Sequence, residues 1–71
     1  MVSKTEVIIN YMLKNSKEKD NRIYSERLGY YYFLNTEKKF IIREGEITNT
    51  RASYYEINQL YVEFIEAGVN K

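Results

Sequence analysis

Tyrosine and the basic side chains offer this sequence's chemistry, and they are densest between residues 28 and 43, LGYYYFLNTEKKFIIR. There Tyr30, Tyr31 and Tyr32 run into Phe33, and Lys38, Lys39, Phe40 and Arg43 follow. An aromatic ring with a polar tip, or a guanidinium beside a ring, desolvates a large area while keeping one directed contact. These are the residue types that dominate binding hot spots. The chemistry they point to is recognition, by stacking and cation–π contact, rather than the making or breaking of bonds.

Catalytic alternatives are few. The 71 residues contain no histidine and no cysteine, which removes the usual zinc sites, His-activated nucleophiles and c-type haem attachment. Carboxylates remain, for instance Glu44, Glu46, Glu63 and Glu66. They come with no calcium-loop spacing, no phosphate-cradling glycine run and no paired-carboxylate pocket, so they read as solubilising groups. A chain this short also has little room for a concave site. A non-enzymatic protein without cofactor or metal is expected.

Positioning the tyrosines requires strands. With a turn at residues 35–38, residues 28–43 read as two antiparallel strands in which Phe33 faces Phe40, Tyr32 faces Ile41 and Tyr30 faces Arg43. Side chains alternate between faces. One parity is then Tyr31, Phe33, Phe40 and Ile42, expected beneath the helices. The other holds Leu28, Tyr30, Tyr32, Leu34, Lys39, Ile41 and Arg43 and is expected to look outward. Glu44-Gly45 reads as a two-residue turn with glycine at positive φ, leading to a short edge strand over residues 46–50 that adds Ile47 to the first face and Thr48 to the second. Residues 22–34 fit either one bent strand or two pieces.

Helices flank this ribbon. Ser3-Lys4-Thr5-Glu6 and Ser53-Tyr54-Tyr55-Glu56 both match the capping box that opens a helix. After the first, Ile8, Ile9, Met12 and Leu13 form an apolar stripe to about residue 16. After the second, Ile57, Leu60, Tyr61, Phe64 and Ile65 repeat at helical spacing, with Glu56, Asn58, Glu63 and Glu66 toward water and Gly68 closing the helix. The expected fold class is therefore α+β: a single domain over residues 1–71 in which a helix, a two- to three-stranded antiparallel β-meander and a helix follow one another, both helices on one face of the sheet.

The expected partner-binding residues are Tyr30, Tyr32, Lys39, Ile41, Arg43 and Thr48, on the outward parity. Eleven basic against ten acidic residues give a net charge of +1, unlike a dedicated nucleic-acid binder. A winged helix fails on space, because the interval where its recognition helix would lie reads YYYFLNTEKKFII, which is strand-like. No apolar run of signal or membrane-span length is present, so a cytoplasmic protein without membrane contact is expected. Heavy use of Lys, Asn, Ile and Tyr without Pro or Trp suggests an AT-rich coding sequence, that of a bacterium or a phage. The expected function is a protein-binding module, a phage- or mobile-element-encoded inhibitor or regulator that occludes a host protein or pairs with its own copy as a homodimer. A nucleic-acid-binding regulator is the alternative.

Overall fold

Ser3 opens the first helix as its sequence context predicts, its hydroxyl accepting the Glu6 amide at 3.2 Å. The computed structural model describes residues 3–67. Helix α1 spans Lys4–Asn15. A turn at Lys19–Asn21, with Asp20 and Asn21 in the left-handed region, leads into the sheet. Strands β1 (Ile23–Ser25), β2 (Tyr30–Asn35), β3 (Phe40–Arg43) and β4 (Thr50–Arg51) follow and pair antiparallel in chain order. Helix α2 spans Tyr54–Leu60, opened at Ser53 by a capping box in which both reciprocal bonds form, and continues as a π-helical stretch, Tyr61–Glu66. Gly68, expected to close it, lies outside the described residues. No described helix is long and apolar enough to cross a membrane.

The sheet has four strands because residues 22–34 are two pieces. Residues 26–29 turn the chain through a tight loop that the third and fourth positions hold in place. The Ser25 hydroxyl accepts the Leu28 amide at 3.0 Å, and the Gly29 amide donates to the Ser25 carbonyl at 2.8 Å. The β2–β3 turn at residues 36–39 repeats this scheme. Asn35 Oδ1 accepts the Lys38 amide at 3.0 Å, and the Lys39 amide donates to the Asn35 carbonyl at 2.8 Å. The fourth turn residue is left-handed in both, with φ 79° at Gly29 and 56° at Lys39. Only the glycine adopts that conformation without steric cost.

The turn at residues 36–39 moves the register by two from the expected one, to Phe33 opposite Ile42 and Leu34 opposite Ile41. An offset of two preserves side-chain parity, so the two groups of residues stay together. Their roles are exchanged. Tyr32, Leu34 and Ile41 are buried with Ile23 against Ile8 and Met12 of α1 and Ile57 and Leu60 of α2. Tyr24 and Tyr31 are exposed on the opposite face, where Phe33, Phe40 and Ile42 are half-buried. Both helices lie on one side of the sheet, but it is the side that carries Tyr32.

Three local expectations are also corrected. The second turn is not a two-residue hairpin: β3 pairs with Thr50–Arg51, leaving a six-residue loop at residues 44–49. Gly45 serves there by its small size, since a Cβ would meet the Thr48 carbonyl oxygen at 2.2 Å. Ile47 is 98% exposed and joins no face of the sheet. On α1 the buried line is Ile8 and Met12, with Tyr11 against Phe64 at 5.2 Å, so Leu13 turns out to be half exposed.

Candidate functional site

The face of the sheet that no described helix covers is built by alternate residues of all four strands. Tyr24 of β1 lies opposite Tyr31 of β2, their ring centroids 4.7 Å apart and tilted by 58°. Phe33 pairs with Ile42 at the centre, and Ile42 pairs with Arg51 of β4. Two arginines lie on the rings. Arg22, just before β1, stacks over Tyr31 at 3.7 Å from the ring centroid, and Arg51 sits over Phe40 at 4.8 Å.

Arg22 crosses the central strand to reach Glu44, which follows β3. Its Nε donates to Oε2 at 2.6 Å and Nη2 to Oε1 at 3.3 Å. The hydrogen bond to Glu44 raises the Arg22 pKa above its ordinary value. One face of the Tyr31 ring is thereby roofed by an internal ion pair. Arg51 differs: among the described residues no carboxylate lies within salt-bridge distance of it. The centre of the face is therefore apolar, with tyrosine and arginine around it.

Beneath the sheet the polar groups serve the fold. The Tyr32 hydroxyl donates to Glu56 Oε2 at 2.6 Å, and Arg43 Nη1 reaches the same oxygen at 3.4 Å. Burial disfavours the Glu56 charge. The Tyr32 hydroxyl, the Ser53 cap and the Arg43 guanidinium outweigh that, and the Glu56 pKa is lowered. Tyr32 titrates well above the ordinary tyrosine range, through burial first and through its bond to the carboxylate second. Arg43 also lies over the Tyr30 ring at 4.6 Å, while its buried Nε has no partner among the described residues. Further along, Glu63 accepts the Ser25 hydroxyl at 2.6 Å and the Glu26 amide at 3.1 Å, tying the π-helical stretch to the β1–β2 turn.

The sequence-predicted site residues do not form one patch. Tyr32 is fully buried and Ile41 is 1% exposed, so neither can meet a partner; they are core because their parity faces the helices. Arg43 is largely engaged by Glu56 and Tyr30. Tyr30 is 43% exposed at the end of β2, Lys39 is exposed in the β2–β3 turn, and Thr48 is exposed in the 44–49 loop. Arg22, Tyr24, Tyr31, Phe33, Phe40, Ile42 and Arg51 are the residues that the uncovered face brings together. The signal that could have found them is Glu56. Expected toward water, it is 8% exposed instead, because it stands four residues before Leu60 and beside Ile57, inside the apolar arc of α2. A carboxylate there requires donors on the sheet above it, and Tyr32 and Arg43 share the parity that supplies them.

Among the described residues no group of His, Cys, Asp and Glu side chains could hold a metal ion. Comparison of the chain with protein-family models, with curated proteins and with solved structures found no match in any of the three.

Proposed function

We propose that this protein is a docking module that uses its uncovered sheet face to cover an apolar patch on another protein. The observation that supports this reading is the pairing of Phe33 with Ile42 at the middle of that face, ringed by Tyr24, Tyr31, Phe40 and an arginine, Arg51, that has no carboxylate partner among the described residues. The partner's chemistry follows: an apolar surface with a carboxylate placed for Arg51. Occluding such a surface is how a small domain without catalytic groups inhibits or regulates its target.

An open sheet with aromatic residues can also stack bases. Here one face of Tyr31 is taken by Arg22 and one face of Phe40 by Arg51, which favours a protein partner. A photo-crosslinking residue at position 24, on the face, and at position 55, on α2 away from it, tests the proposal in cell extract. Protein adducts specific to position 24 are expected. Equal labelling from both positions, or oligonucleotide binding with a steep salt dependence, would contradict it.

A further inference from the structure

Arg51 stands apart from the other arginines of the chain. Arg22 donates to Glu44, Arg27 to Gln59 and Arg43 to Glu56, whereas Arg51, exposed on β4, donates to no side chain among the described residues. Its guanidinium lies 4.8 Å from the Phe40 ring centroid, and both residues line a cleft of about 270 Å³. The cleft lies where β4 ends, between the start of β3 and the start of α2. Ile41, Ala52 and Ile57 give it an apolar lining, and the exposed Tyr54 adds a phenol.

Arg51 is the only ionised side chain on the walls of this cleft. Two other clefts differ. Glu6 lines the groove beside the β2–β3 turn together with Lys39, and Glu44 and Glu46 line the cleft beside Tyr30 and Tyr31. An unpaired arginine in water is ordinary. One that borders an apolar cleft, with no carboxylate there to offset it, is a recognition group for an anion that carries apolar surface.

We infer, resting on the docking reading above, that this cleft anchors the C-terminal residue of the partner protein, its carboxylate on Arg51 and its apolar side chain against Ile41, Ala52 and Ile57. The planar guanidinium matches both oxygens of a carboxylate. Two features select a chain terminus over an acidic side chain. The volume exceeds that of a carboxylate on one or two methylenes, and most of the lining beyond Arg51 is apolar. A terminal residue brings an anion and an apolar side chain into the same cleft, which aspartate and glutamate do not. One anchored residue binds weakly, with a Kd on the order of 1 mM for a short peptide.

Titration of the full, isotope-labelled chain with N-acetyl-glycyl-seryl-leucine, followed by amide chemical shifts, tests the inference. Saturable shifts confined to the surroundings of Ile41, Arg51, Ala52 and Tyr54 are expected. The same peptide with its terminus amidated should bind at least tenfold more weakly, as should an amidated peptide with glutamate in place of leucine. Arg51→Gln should weaken the free-acid peptide at least tenfold at a near-native melting temperature, since the position is exposed. Equal binding of acid and amide, tighter binding of the glutamate peptide, binding unchanged in Arg51→Gln, or shifts scattered over the surface would each overturn the inference. So would the absence of shifts up to about 20 mM peptide. Crosslinking at position 24 reads the sheet face separately: adducts there without peptide binding remove the anchor and keep the face, and peptide binding without adducts does the reverse.

Discussion

The Tyr32 hydroxyl donates to Glu56 Oε2 at 2.6 Å beneath the sheet, joining the middle of β2 to the first turn of α2. This bond fastens the covered face of the sheet to α2. Glu56 also closes the α2 capping box through Ser53, its Oε1 accepting the Ser53 amide at 3.1 Å. One carboxylate thus caps the start of the helix, anchors the sheet and accepts from Arg43.

Tyr32→Phe keeps the ring in the core and removes the donor. Hydrogen bonds to charged groups contribute about 1.5–3 kcal/mol, and urea unfolding should show a loss in that range. The double change Tyr32→Ala with Arg43→Ala should unfold the domain or nearly so, because it opens a cavity and strands Glu56.

Acid stability should depend on Glu56. Its folded pKa lies below the ordinary carboxylate value, so the unfolded chain binds the proton more readily. The stabilisation is present above about pH 4.5 and is lost as pH falls through the lower, folded value. Tyr32 has the opposite displacement, and its contribution is present below about pH 10 and declines above it. Thermal melts of Glu56→Gln against pH should flatten the acid limb and leave an alkaline limb that is reduced but still present, since burial is the larger cause of the Tyr32 displacement. An unchanged acid limb would assign acid lability to other carboxylates.

The two tight turns make a matched pair of substitutions. Lys39 holds a left-handed conformation that costs a non-glycine residue about 1–2 kcal/mol. Lys39→Gly removes that strain and adds back about 0.4–1 kcal/mol of unfolded-state entropy. A net gain of about 0 to 1.6 kcal/mol is expected. Gly29→Ala should go the other way by about 1 kcal/mol. Among the described residues nothing lies within 4 Å of the added Cβ, so the backbone conformation decides the sign. Denaturant midpoints measure both.

Much of this architecture was legible in the sequence, for reasons that can be named. Both serine caps, the apolar line of α2 and the Ile8 and Met12 part of the α1 line follow from local spacing. The division of residues 30–43 into two parities survived a two-residue register offset because parity is unchanged by an even shift. Which parity is covered was not legible from hydrophobicity, since Tyr31, Phe33, Phe40 and Ile42 are as apolar as Tyr32, Leu34 and Ile41. The covered parity also carries a long-range polar contact between residues 32 and 56, which strand-by-strand counting does not see. The sequence leaves residues 22–34 open between one bent strand and two pieces because Ser25 acts as Asn35 does, through a side-chain acceptor three residues before the amide it binds, a signal that residue type alone carries weakly. Glu44-Gly45 resembled a tight hairpin turn, but Gly45 is needed for its close approach to Thr48 rather than for positive φ.

Ile41 and Ile42 are chemically identical neighbours on β3 that point to opposite faces of the sheet, and replacing each with alanine tests the central claim most directly. Ile41 is 1% exposed in the core whereas Ile42 is half-buried on the uncovered face. Urea unfolding should show Ile41→Ala losing about 2–5 kcal/mol and Ile42→Ala less than about half of that. Equal losses, or a larger loss for Ile42→Ala, would mean that the face carrying Phe33, Ile42 and Arg51 is covered and is no docking surface.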